Sequence, residues 1–163
     1  KAQSKKANLT AEDRKLLKSL RITPPSIWIE AHDFTGELND GSIINLKDYH
    51  HSFVLLNFWA TWCVPGRREM PMLQNLYLNK DMHNIEIIGI AVDQNDPVID
   101  FIHEYGIEFP ILVGQSNAYE IMQQLGNTAT TLPYTLVVEP DGLITWFKNT
   151  ELQAEDLPEI LGY

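Results

Sequence analysis

Residues 53–71 read FVLLNFWATWCVPGRREMP, and the order of residue types along this stretch decides the fold. Phe53–Trp59 is an apolar run broken only by Asn57. A run of that length without alternation suits a strand buried on both faces, as at the centre of an α/β sheet. The period then changes. From about Val64 to Lys80, Met70, Leu73, Leu76 and Tyr77 fall on one helical face. Pro71 lies inside this predicted helix, where it removes one backbone hydrogen bond. Cys63 stands at the junction and is the only cysteine in the chain.

Working outward, the pattern repeats. Ile85–Val92 reads as a second buried strand and Pro97–Tyr105 as a helix closed by Gly106. Phe109–Val113 is a short extended piece, and Ala118–Leu125 a short helix before Gly126. Thr135–Glu139 and Leu143–Lys148 form a strand pair around the turn Pro140-Asp141-Gly142, and Glu155–Leu161 a terminal helix. Upstream, Ser26–Glu30 and Ile43–Leu46 are short candidate strands separated by the turn-rich FTGELNDGS, in which Asp40-Gly41 is a hairpin signal. Helical connections make the first core strands parallel, and the tight turn makes the last pair antiparallel. The expected class is α/β: a central mixed β-sheet flanked by helices, with an N-terminal β-hairpin.

Residues 1–25 form a separate lead-in, ahead of the domain expected over 26–163. Its first eight residues are polar and lysine-rich. A helix follows, with Thr10 as N-cap and Leu16, Leu17 and Leu20 as its apolar stripe, and Thr23-Pro24-Pro25 stops it. The 163 residues carry a net charge of −10. Seven basic and two acidic side chains lie in residues 1–21, leaving five basic against twenty acidic in the remainder. Such an acidic body repels phosphate backbones, which excludes nucleic acid as a natural partner. The basic lead-in reads as a solvated tail. No apolar run is long enough to span a bilayer. The chain starts at Lys1 rather than Met, so the lack of a leader carries no information and a membrane tether ahead of it stays open.

The chemistry centres on Cys63. A residue between a buried strand and a helix meets unpaired backbone N–H groups and the positive end of the helix dipole, which favour a thiolate. Thiolate is the attacking species in disulfide exchange. Arg67 and Arg68 lie one turn further on. The alternative for a lone cysteine is a small buried hydrophobe.

The surrounding residues resemble the active-site segment of thioredoxin-fold proteins of the TlpA/ResA/DsbE-like branch, bacterial extracytoplasmic thiol–disulfide oxidoreductases. That branch typically reads N-F-W-A-T-W-C-x-P-C-R-x-E-x-P. Asn57, Phe58, Trp59, Ala60, Thr61, Trp62, Cys63, Pro65, Arg67, Glu69 and Pro71 match it. The resemblance covers about residues 26–162 and includes the Gly41–Leu46 and Thr131–Gly142 segments. It implies a thioredoxin-like fold with Cys63 as the nucleophilic, solvent-facing cysteine. It further implies that Pro133 is a cis-proline facing that cysteine and that Leu132 offers its backbone to an incoming peptide. Trp62 and Pro65 would shape the substrate surface. Trp59, whose other reading is packing, is assigned to the core.

Glu69 is the acid that in this branch approaches the cysteine pair and tunes its proton affinity. Its other reading is an ordinary first-turn glutamate. Asn57 occupies a site that cytoplasmic thioredoxins fill with aspartate, which favours the extracytoplasmic branch. Gly66 is the departure, since the resolving cysteine belongs there. A glycine in the first turns of a helix costs up to about 1 kcal/mol against alanine, and nothing in the local pattern calls for it. A deliberate replacement, a natural monothiol form and a retained groove without catalysis all fit. The otherwise intact loop favours a disabled or altered oxidoreductase.

The function expected is disulfide reduction on exported proteins, such as apocytochromes, by a monothiol form that attacks and cannot resolve. The expected partners are disulfide-containing protein clients and an upstream membrane thiol reductase. The expected location is the bacterial periplasm or extracytoplasmic face, and the expected state a monomer. A monothiol peroxidase is the second reading, although Ala60 stands where the peroxiredoxin pattern has Thr. A non-catalytic binding module is the third. His32, His50, His51, His83 and His103 form no metal-ligand spacing, and Asp93 and Asp96 read as caps of the following helix. No metal or cofactor is expected.

Overall fold

The computed structural model describes residues 29–30, 35–37, 40–49 and 51–162. The expected N-terminal helix lies outside them. In chain order the strands are β1 Ile29–Glu30, β2 Thr35–Glu37, β3 Ile43–Asn45, β4 Phe53–Trp59, β5 Ile85–Ala91, β6 Ile111–Val113, β7 Tyr134–Val138 and β8 Leu143–Lys148. The α-helices are α1 Val64–Leu78, α2 Lys80–His83, α3 Asn95–Tyr105, α4 Gln115–Gln124 and α5 Leu157–Leu161.

Six strands form one sheet in the order β1-β8-β7-β4-β5-β6. β4 is the pivot, parallel to β5 and antiparallel to β7. Its odd and even residues supply two cores. Val54, Leu56 and Phe58 pack with Ile88, Ile90, Ala118 and Met122 on one face, beneath α4. Leu55 and Trp59 pack with Leu73, Ile87, Val98 and Phe101 on the other, beneath α1 and α3. The unbroken apolar run follows from this burial on both sides. Gly89 in β5 lets the Trp59 indole lie close: a Cβ there would stand 3.2 Å from Nε1. Trp59 is a core residue, 0% exposed.

The parallel and antiparallel pairings agree with the expectation. α1 is one helix of 15 residues with Pro71 inside it. The N-terminal hairpin is present, but its first strand is Thr35–Glu37 rather than the stretch ending at Glu30. The segment read as turn thus contains a strand, with Asp40 and Gly41 in the connection. Ile29–Glu30 pairs instead with β8 at the edge of the main sheet. The terminal helical segment is split into a 3-10 turn at Ala154–Asp156 and α5.

Candidate active site

The C-terminal ends of β4 and β5 and the start of β7 lie at one end of the sheet, because Trp59 pairs with Ala91 and Phe58 with Tyr134. Three segments meet there: the turn 60–63 that enters α1, Asp93 after β5, and Leu132–Pro133 before β7. Cys63 is the N-cap of α1, with extended backbone at φ −99° and ψ 103°. Its carbonyl accepts the Arg67 N–H at 3.0 Å, and its own N–H donates to the Ala60 carbonyl at 3.1 Å. Pro65 occupies the first turn, where a missing N–H leaves no helical bond unmade. The Leu132–Pro133 peptide is cis.

Cys63 is 9% exposed, less open than the solvent-facing position expected. Trp62 beside it is 60% exposed and forms the protruding part of the turn. Gly66 is buried one helical turn away. A Cβ built on Gly66 would lie 3.7 Å from the Cys63 Cβ, 3.6 Å from its Sγ and 3.3 Å from the Trp59 Cβ. Disulfide-linked residues have Cβ atoms about 3.5–4.5 Å apart. Position 66 therefore has the spacing of a disulfide partner for Cys63 and lacks the side chain.

The turn is held by a contact that sequence reasoning missed. Asp93 Oδ2 accepts the Thr61 backbone N–H at 2.9 Å and the Thr61 hydroxyl at 2.5 Å. Its Oδ1 accepts the Gln94 N–H at 2.7 Å. Asp93 was expected to cap α3. The N-cap of α3 is Gln94, with no side-chain cap, and the Asp93 carboxylate is directed to the cysteine turn instead. The only local signal was a carboxylate immediately after a buried strand.

Glu69 is not an exposed first-turn residue. It is 1% exposed. Its Oε1 accepts the Asn57 Nδ2 hydrogen at 2.9 Å and its Oε2 the Leu152 N–H at 2.5 Å. Burial pushes its carboxyl up to about 7, against the lowering effect of those hydrogen bonds. Asn57 Nδ2 also donates to Thr135 Oγ1 at 2.9 Å, so β4, β7, α1 and the segment after β8 meet at one polar point. Next to it Arg68 forks onto Glu151. Arg67 has no ion-pair partner among the described residues. No cluster of three or more metal-ligating side chains occurs among the described residues.

A family model described as AhpC/TSA family matches residues 29–147. Among curated proteins, the thiol-disulfide oxidoreductase ResA of Bacillus thuringiensis subsp. konkukian is 32% identical over 133 residues, covering 81% of this chain and 75% of that protein. ResA of Bacillus subtilis is 29% identical over 120 residues, covering 71% and 63%. A DsbF homologue from Corynebacterium diphtheriae superposes with a TM-score of 0.72 at 26% identity, over 82% of this chain and 85% of that one. A secreted thiol-disulfide isomerase from Corynebacterium glutamicum gives 0.71 at 23% identity, over 82% and 86%, and shares the fold.

Proposed function

The chain belongs to the AhpC/TSA family and, within its thioredoxin fold, to the ResA-like thiol–disulfide oxidoreductases, and from that membership we propose that Cys63 is a disulfide-attacking nucleophile whose resolving partner is replaced by Gly66. The carrying observation is the 3.7 Å between the Cys63 Cβ and the Cβ site of Gly66. The thiolate of Cys63 attacks one sulfur of a client disulfide. That S–S bond breaks, a mixed disulfide forms, and the second client sulfur leaves as a thiolate that takes up a proton. In a dithiol relative the side chain at position 66 would attack next and release the reduced client. Here the mixed disulfide waits for an external thiol.

Trp62 and Pro65 border the sulfur, and Leu132 and Pro133 present a backbone edge to the client. Glu69 acts one turn behind them as a tuner of the site. The clients are exported proteins with disulfides, including apocytochromes. The setting is extracytoplasmic, with a membrane thiol reductase as electron source. This reading rests on the ResA-like relatives.

The test is incubation of the reduced protein with an oxidised peptide, followed by intact-mass measurement. A stable adduct that thiol reagents remove and Cys63→Ser abolishes is expected. Gly66→Cys is expected to gain catalytic turnover in an insulin-reduction assay, the Trp59 Cβ yielding by a few tenths of an ångström. Absence of turnover in a folded Gly66→Cys protein would refute the resolving-position reading. Peroxide consumption with sulfenic acid at Cys63 would point to a peroxidase, and no thiol reactivity at neutral pH to a binding module.

A further inference from the structure

Exposed large apolar side chains are not scattered evenly over the described surface. Trp62, Val64, Leu78 and Tyr105 are four of the seven. Trp62 and Val64 flank Cys63, and Val64, Leu78 and Tyr105 line one groove of about 470 Å³ between α1 and α3. Pro71 and Phe101 also line it, as does Arg67, one helical turn from Cys63. On α1 the lining positions 64, 67, 71, 74 and 78 recur at helical spacing, so they form one continuous stripe. The stripe starts next to the candidate nucleophile and runs about 20 Å down the helix. Its exposed apolar members Val64, Pro71 and Leu78, with Tyr105 across the groove and Arg67 and Gln74 between them, mark an interaction site.

Charge defines the occupant further. Arg68 is neutralised by Glu151, whereas Arg67 has no ion-pair partner among the described residues. A guanidinium without an ion pair among the described residues, lining an apolar groove on an otherwise acidic body, fits a carboxylate.

We propose that the groove between α1 and α3 binds the polypeptide flanking a client's reactive cysteine, and that it selects a carboxylate about two residues from that cysteine followed by large apolar side chains. Arg67 takes the carboxylate, and the Val64–Pro71–Leu78 stripe with Tyr105 takes the apolar groups. The inference rests on Cys63 being the attacking sulfur and assigns the sequence chemistry of the client. About six extended residues cover the groove.

The experiment uses peptides whose single cysteine is carried as a mixed disulfide with thionitrobenzoate. Attack by Cys63 on the peptide sulfur releases coloured thionitrobenzoate and leaves the peptide on the protein. One peptide has glutamate two residues from the cysteine with leucine and phenylalanine beyond, and a second has lysine and serines at those places. Each is made with its flank on either side of the cysteine, and mercaptoethanol–thionitrobenzoate is the small reference. For one flank direction, the acidic–apolar peptide should couple about tenfold faster than the lysine–serine peptide. Arg67→Glu should invert the charge preference, and Leu78→Ser should lower the peptide-to-reference ratio. Equal rates within about twofold for both flank directions would overturn the proposal, as would unchanged charge preference in Arg67→Glu. A sedimenting dimer whose dissociation follows Leu78→Ser would also overturn it, by giving the groove to a second copy. Failure of Cys63 to react even with the small reference refutes the thiol-exchange reading itself and removes the basis of this one.

Discussion

Burial withholds water from the Glu69 carboxylate, and the hydrogen bonds from Asn57 and Leu152 offset only part of that loss. Lys148 helps the charged form weakly, and Glu151 opposes it. The carboxyl therefore holds its proton up to about 7, well above its ordinary 4.5. The folded state binds a proton that the unfolded chain has released over the interval between those values. The stability linked to this proton is fully present below the ordinary value and is lost as pH rises through about 7. Glu69→Gln removes the titration while keeping an acceptor for Asn57. Relative to that variant, the unsubstituted chain should lose on the order of 1–3 kcal/mol between about pH 5 and about pH 8. Urea-unfolding midpoints of the two proteins across that range measure it, and parallel curves would show that Glu69 is already ionised at pH 5. The same residue shows what a sequence hides. The family resemblance implies a site role for Glu69 but not its burial, because the Leu152 N–H that makes one of its two hydrogen bonds lies 83 positions away.

The turn between β4 and α1 has no regular hydrogen-bonding of its own beyond the Cys63-to-Ala60 bond, so its geometry depends on what neighbouring elements supply. The segment just after β5 supplies most of it. The Val92 N–H reaches the Trp59 carbonyl at 2.8 Å, and Asp93 receives both donors of Thr61. Removing either side of that contact frees the segment two residues ahead of the sulfur. Thr61→Val deletes one donor without adding bulk, and Asp93→Asn keeps an acceptor and removes the charge. Each should slow modification of Cys63 by a neutral alkylating reagent by about tenfold, since small misplacements of a reacting group are costly. Thr61→Ser should restore the rate. A purely structural role would lower the melting temperature in all three without this pattern, and alkylation rates equal to those of the unsubstituted chain would refute a positioning role. The helices and central strands flanking this turn were legible because amphipathic period and apolar runs are local signals. The Asp93–Thr61 contact was not, since it depends on which strand lies beside β4. The same limit misplaced the hairpin: Thr35–Glu37 is too short and too glycine-bearing to read as a strand, and only its pairing with Ile43–Asn45 makes it one.

Across the molecule, the two cores share β4, so the sheet centre cannot open without exposing both. β4 pairs with β5 over seven positions and with β7 over five, whereas β1 pairs over two and the β2–β3 hairpin over three. The hairpin is a separate two-stranded sheet. It meets the rest through Ile44, which packs against the core under α4, and through a close approach of Gly36 to β6, where an added Cβ would lie 2.7 Å from the Leu112 side chain. Leu112 itself belongs to the core under α4. Few buried apolar groups and few paired amides lower the free energy of local opening. Hydrogen exchange should accordingly divide the chain into two levels. Amides of β4, β5 and β7 should exchange only with global unfolding, while those of Thr35–Glu37 and Ile43–Asn45 should exchange through a cheaper opening and respond weakly to denaturant. Gly36→Ala should widen the gap, because the methyl group must displace Leu112 or lift the hairpin from it. If hairpin amides prove as protected as those of β4, the hairpin is part of the global cooperative unit. The close Gly36–Leu112 contact would then bind it to the sheet more tightly than three paired positions can.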